Sequence, residues 1–343
     1  MPSDFPESTI HWLKIGPELA EAEERFRCEF HRMLALVETR FLRAGWKTNL
    51  SDTRVQVYRP TWQDGWEGIH YEAFSSGDYF RIGTIHLGLH VEKGTPNESA
   101  VREGLRQLLK RTEDRLLSAA GCKVVPQCHW RVLEGALDLI ETSDEAIGDA
   151  LEQMIQTESF VEEALFLADK KTVWRTDFLP DDPLPEIDWS VWSGKEGGRG
   201  GWQLRADGGR LGTPSLICQG QKRNYKGKEN IAALHDSERE PFRAFTPGQH
   251  VYCCSLVRCP AGGSVTFTLQ TTKEGQYQSG YTETRRLAAA DRWQMVCFEG
   301  ELARLTDYDP ALQGLYAYLL IDPSLQPITI DSIEIGTACC RPS

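Results

Sequence analysis

The spacing of apolar residues changes character once along this chain, at Asp177 to Glu186, a stretch that holds three prolines. Before it, Leu19, Ala22, Phe26, Phe30, Met33, Val37 and Phe41 recur at spacings of three and four, the stripe of a helix, and later runs alternate as strands do. After it helical spacing disappears. Glycine pairs such as Gly208-Gly209 and Gly262-Gly263 separate short alternating runs: 215–219, 249–258, 264–271, 293–301, 314–321 and 328–335. Many short strands between glycine turns predict an all-β sandwich or jelly roll. The chain therefore divides into an α+β domain over 1–176, a proline-bearing linker over 177–186 and an all-β jelly-roll sandwich over 187–343. A chain of 343 residues is long enough for two such cores.

Within the first part the spacing predicts the order α-β-β-β-α-β-α. Gly16-Pro17 is expected to open the long helix and Gly45 to close it. Thr95-Pro96-Asn97-Glu98 reads as a capping box for the next helix, and Thr142 with Glu145 as a cap for another, interrupted near Thr157. The run from Tyr79 to Val91 alternates, and Ser75-Ser76-Gly77-Asp78 predicts a hairpin with Gly68 to Phe74.

Lys and Arg total 38 and Asp and Glu 50, a net charge of −12. A field of that sign argues against nonspecific binding to nucleic acid or to an anionic membrane surface. No apolar run approaches the length that spans a bilayer, and Met1 to His11 has no apolar core, so a cytoplasmic protein with no membrane partner is expected. The ten cysteines include the adjacent pairs Cys253-Cys254 and Cys339-Cys340 and no CxxC spacing. They read as reduced thiols, with one member of each pair facing inward.

Four stretches of the second half carry a resemblance: Phe245 to Arg258, Val265-Thr-Phe-Thr-Leu269, Asp291-Arg-Trp-Gln-Met-Val296 and Ile328-Thr-Ile-Asp-Ser-Ile-Glu-Ile335. In order and spacing they resemble strands of the jelly-roll carbohydrate-binding modules attached to polysaccharide-degrading enzymes. The resemblance implies a glycan ligand and a calcium ion, with Asp331 in the last strand as a calcium ligand. A carboxylate inside an apolar strand needs a cation or donors on physical grounds as well. Sugar rings stack on flat aromatic faces, so Trp202, Tyr225, Tyr277 and Tyr281, with Arg285 beside them, are the candidate ligand-binding residues.

The element order of the first half is similar to a degenerate PD-(D/E)XK nuclease core. Its strands offer Glu72, and then Glu92-Lys93 without the intervening residue. With the hairpin turning near Gly77, parity puts His70, Glu72, His86 and His90 on one face, with His70 opposite Thr84. His70, Glu72 and His86 are the candidate ligands for a transition metal. Three functions follow. The first is a cytoplasmic recognition protein whose jelly roll binds a glycan or a protein partner, with the N-terminal domain mediating assembly or signalling. The second is an enzyme, a diverged nuclease or a metal-dependent hydrolase. The third is a structural subunit of a larger complex, with the first helix as an oligomer contact.

Overall fold

The computed structural model describes residues 7–62, 68–75, 83–110, 121–138, 141–179, 202–218, 229–234, 249–273, 276–301, 314–321 and 328–338. The chain forms two compact units, Met1–Glu158 and Ser159–Ser343.

In the first unit α1 (Glu7–Arg43) is followed by β1 (Lys47–Ser51), β2 (Arg54–Tyr58), β3 (Ile69–Phe74), β4 (Thr84–Val91), α2 (Glu98–Lys110), β5 (Lys123–Val124), β6 (Arg131–Asp138) and α3 (Asp144–Ile155). The strands form one sheet in the order β1-β2-β3-β4-β6-β5, antiparallel at every described pairing. The helix does not open at Gly16-Pro17: it starts at Glu7 and carries Pro17 inside. Proline there removes one backbone donor without stopping the helix. Gly45 closes it as expected. At φ +82° it lets Trp46 N–H reach the carbonyl of Phe41 at 3.0 Å, while its own N–H reaches Leu42 at 3.1 Å. Among the residues of α1 whose burial is described, the buried ones Phe30, Leu34, Val37 and Phe41 fall in its second half; Leu19 is exposed. Ion pairs one turn apart, Glu21–Arg25 and Glu23–Arg27, line the outer half.

The start of α2 is shifted from the expected threonine cap. Asn97, at φ +53°, supplies the carbonyl that accepts from Val101 N–H at 3.0 Å. Arg102 and Arg106 of α2 are buried. Arg106 donates to the carbonyls of Cys128 and Arg131 and so ties α2 to the entry of β6. On α3 the cap is Ser143, whose hydroxyl accepts from Ala146 N–H at 3.2 Å.

The second unit contains α4 (Glu158–Leu167, which begins at the unit boundary), β7 (Lys170–Thr176), β8 (Trp202–Arg205), β9 (Ser215–Cys218), β10 (Glu229–Leu234), β11 (His250–Cys259), β12 (Gly263–Lys273), β13 (Gln276–Leu287), β14 (Ala290–Glu301), β15 (Gly314–Ile321) and β16 (Ile328–Ala338). A four-stranded antiparallel sheet runs β10-β15-β12-β13. A second runs β14-β11-β16-β9-β8, and β7 also pairs with β16. One apolar core joins the two sheets: Val265, Phe267 and Leu269 of β12 pack with Val251, Val257, Phe298, Ile330 and Ile333. The Phe267 and Phe298 rings lie 5.6 Å apart. This is a β-sandwich of antiparallel sheets.

Two boundary expectations need correction. Residues 170–176 fall within the expected first domain, yet they form β7, a strand of the sandwich, whose backbone pairs with β16 over Ile333 to Ala338. The expected linker starts inside the sandwich too. Phe178 belongs to the sandwich core, and its N–H reaches the Thr176 hydroxyl at 3.1 Å. The rest of that stretch, 180–186, lies outside the described residues. Both members of the Cys253-Cys254 pair are buried, where one was expected to face out. The reason is a further layer: α4 covers the face that carries Tyr252, whose ring meets Phe166 edge-on at 5.6 Å. The pair Cys339-Cys340 lies outside the described residues.

Candidate functional site

The polar face of the first unit's sheet is organised by the register between β3 and β4. His70 stands opposite His90, Glu72 opposite Gly88 and Phe74 opposite His86. This register is centred on residue 80, three places beyond the Gly77 expected at the turn. It replaces the expected His70–Thr84 pair and changes the candidate metal set. His70, Glu72 and His90 converge, each with a ligand atom within 4.8 Å of the others. His86 lies four residues along β4 from His90, about 13 Å at strand rise. There its ring packs on Phe74 at 5.4 Å. The parity expectation for the four residues is met; the inclusion of His86 in the ligand set is not.

His70 Nε2 is 3.7 Å from Glu72 Oε2, and His90 Nδ1 is 3.9 Å from Glu72 Oε1 and 3.6 Å from Glu92 Oε1. His70, Glu72 and His90 are 1%, 4% and 5% exposed. Gln56 of β2, a residue the sequence reading passed over, donates its amide to Glu72 at 2.9 Å and stands 3.0 Å from His70 Nε2. Arg54 Nη1 approaches Glu72 at 3.8 Å. Burial pushes the Glu72 carboxyl up, but His70, His90 and Gln56 outweigh it and hold the group at about 2. Burial lowers the His70 imidazole below its ordinary value. Glu92 and Lys93 follow the end of β4 rather than forming an acid-x-lysine rung. The nuclease-like reading gains no support.

The second unit buries a chain of ion pairs that sequence reasoning also missed. Arg175 on β7 donates to Glu163 of α4 and to Glu334 of β16, both at 2.6 Å, and pairs with Asp177. Arg210, in a short turn before β9, reaches Glu163 at 2.8 Å and Asp331 at 2.6 Å, and its guanidinium lies 3.8 Å from the centre of the Phe160 ring. Tyr252 closes the chain by donating to Glu334 at 2.6 Å. Asp331 also accepts from the backbone N–H of Arg210 at 2.6 Å and from the Thr213 hydroxyl at 2.8 Å. Both oxygens of Asp331 are thus taken by donors, one of them a guanidinium. A calcium site gathers several anionic or carbonyl oxygens, and this donor set does not fit one.

The expected ligand-binding residues do not form one set. Trp202 belongs to β8, in the sheet of β16, whereas Tyr277 and Tyr281 belong to β13, in the four-stranded sheet. Tyr281 holds the register position opposite Leu269, a core residue, and Tyr277 the one opposite Thr272. Arg285 is exposed, pairs with Glu283 and donates to the carbonyl of Cys297. Tyr225 lies outside the described residues. A different row stands on the face of β12 turned away from the core. Thr266 and Thr284 share a hydrogen bond at 2.8 Å and Thr268 and Thr282 one at 3.3 Å; Thr282 and Thr284 are exposed, whereas Thr266 and Thr268 are buried. On the other side of β12, the register sets Tyr318 opposite Thr268 and Tyr316 opposite Gln270.

These features define an α+β unit with a buried His-Glu-His cluster and a two-sheet antiparallel sandwich with a hydroxyl-bearing face. No protein-family model matches the chain, and no curated protein does. Among solved structures the chain is similar to carbohydrate-binding modules. The CBM22-1 xylan-binding domain of Xyn10C from Paenibacillus barcinonensis is 14% identical over 50% of this chain and 97% of its own, with a TM-score of 0.31. The C-terminal family 22 module of Xyn10B from Clostridium thermocellum is 16% identical over 45% of this chain and 96% of its own, with a TM-score of 0.28. A family 4 module is 12% identical over 43% and 84%, with a TM-score of 0.27. Likeness at this level carries no argument about a ligand, and the sandwich is established by its own strand pairings. Among the described residues no helix is long and apolar enough to cross a membrane.

Proposed function

We propose that this chain is a recognition protein whose sandwich, a jelly roll of the carbohydrate-binding-module class, takes a glycan on the outer face of its four-stranded sheet. The observation that carries this reading is the pair of exposed threonines on β13, Thr282 and Thr284, bonded to buried threonines of β12, with Tyr316 and Tyr318 at register positions on β15 across β12. Hydroxyl donors and acceptors beside aromatic residue types are what a neutral sugar chain requires, since each ring presents both a C–H patch and a rim of hydroxyls. A cytoplasmic location and a role for the first unit in assembly or signalling complete the proposal and rest on the sequence reading alone.

Affinity electrophoresis of the full chain through gels containing soluble xylan or mixed-linkage β-glucan tests it. Retardation is expected for the wild type, and its loss for Tyr318→Ala and Thr282→Val. A wild-type protein that neither polysaccharide retards, and that is silent on a glycan array, would sink the glycan reading and leave a protein partner for this face.

A further inference from the structure

The residues around His70 repeat those around His90. Gly68, His70 and Glu72 on one strand correspond to Gly88, His90 and Glu92 on the next, and the antiparallel register lays one set against the other. The two histidines face each other, Gly88 stands opposite Glu72, and Glu92 N–H bonds to the Gly68 carbonyl at 3.1 Å. A carboxylate therefore approaches the histidine pair from either end. Gly88 is part of the arrangement, because a Cβ there would come within 2.5 Å of His90 Nε2. The His90 ring lies over that glycine and turns Nδ1 toward both carboxylates.

We infer that His70 Nε2, Glu72, His90 Nδ1 and Glu92 form a four-ligand site for one divalent transition-metal ion of the zinc class. The geometry is close to closure. Ligand atoms of a tetrahedral zinc ion, at bond lengths near 2.1 Å, lie about 3.4 Å apart. His70, Glu72 and His90 already bring one ligand atom each within 4.8 Å of one another, whereas Glu92 lies 3.6 Å from His90 but outside that group and must swing inward to complete the set. Gln56 donates to Glu72 at 2.9 Å and stands 3.0 Å from His70 Nε2, so ligation by that nitrogen requires the Gln56 amide to turn away from it. The imidazole and carboxylate donor set selects zinc, cobalt or nickel over calcium or magnesium. Three ligands are buried and the fourth sits at the strand end, which suits a structural ion better than an open catalytic one.

The test uses the full chain stripped with a chelator and titrated with cobalt(II). One equivalent should bind and give the intense visible bands of four-coordinate cobalt, and zinc should displace it. His90→Ala should weaken binding by about a hundredfold, and Glu92→Gln, at a partly exposed position, by about tenfold with a shifted spectrum. His86→Ala should bind as the wild type does. A folded wild-type protein that takes up no cobalt or zinc overturns the inference, as does unchanged binding in both His90→Ala and Glu92→Gln. Circular dichroism of each variant separates a lost ligand from a lost fold. Should His90→Ala not fold, the wild-type titration and Glu92→Gln decide.

Discussion

Between Thr329 and Thr337 of β16, Asp331 alone has no register partner on β11, and its carboxylate accepts the backbone N–H and the Nε–H of Arg210, both at 2.6 Å. The bulge explains the placement. Leu256 faces Ser332 and Val257 faces Ile330, so the intervening residue is extruded toward the turn that carries Arg210. Removing one member of a buried pair leaves an uncompensated charge, so Arg210→Ala should lower unfolding stability by about 3–5 kcal/mol. Urea denaturation of the full chain measures this. A chelator of calcium should leave the same midpoint unmoved, and a lower midpoint after EGTA would show that Asp331 serves an ion after all.

The pH dependence of the sandwich should report Glu163. Burial raises its carboxyl, but Arg210 and Arg175 more than offset this and hold it below its ordinary value of 4.5. A carboxyl depressed in the native state contributes stability that is fully present above its unfolded value and is lost as pH falls through its native one. The stability gap between the wild type and Glu163→Gln should be constant from neutral pH down to about 5 and then narrow with further acidification. Denaturation midpoints across that range check it, and a gap that widens in acid contradicts the assignment.

Thiol chemistry should divide the described cysteines sharply. Cys28 is exposed. Burial pushes Cys122 up to about 11 and is the chief cause of Cys297 lying at about 12; it raises Cys253 and Cys254 well above their ordinary value. Since the thiolate is the reactive form, iodoacetamide at pH 8 should modify Cys28 in the native protein and reach these four only after denaturation. Peptide mass mapping gives the order, and labelling of Cys297 at the rate of Cys28 would contradict the burial.

Gly88→Ala separates the metal site from the fold. The backbone there is ordinary strand, where alanine is favoured over glycine, but the methyl meets a buried ring, so metal-free stability should fall by about 1–3 kcal/mol with the fold retained. The added methyl must displace the His90 ring, and cobalt affinity should fall about tenfold. Titration and thermal unfolding of the one variant read both quantities. Unchanged affinity would mean that His90 does not ligate from its present position.

What was legible in the chain is what alternation alone encodes. Ile328 and Ile330 are followed by Ile333 and Ile335, and this break of parity marks the bulge at Asp331 and the closing strand. Parity also put His70, Glu72 and His90 on one face. The pairing of that face was not legible, because register depends on turn length, and a turn centred on residue 80 rather than 77 brings His90 in and moves His86 out. The ion-pair chain was hidden for another reason. Glu163, Arg175, Arg210 and Glu334 lie far apart in sequence, and each looks like a solvated charge until α4 covers the second face of the sheet. The repeat of Gly-x-His-x-Glu was present in the letters and would have pointed to Glu92.

Along one flank β16 is served by two strands in turn, β9 over Ile328 to Ile330 and β7 over Ile333 to Ala338. A polypeptide trimmed to begin after the prolines keeps the first and loses the second, so six residues of an interior strand become a raw edge. Such an edge is a template for a neighbouring copy. Oligomers or precipitates formed by a fragment cut at that point would report the missing border strand, and a fragment retaining Ser159 onward is the form in which the sandwich should stand alone.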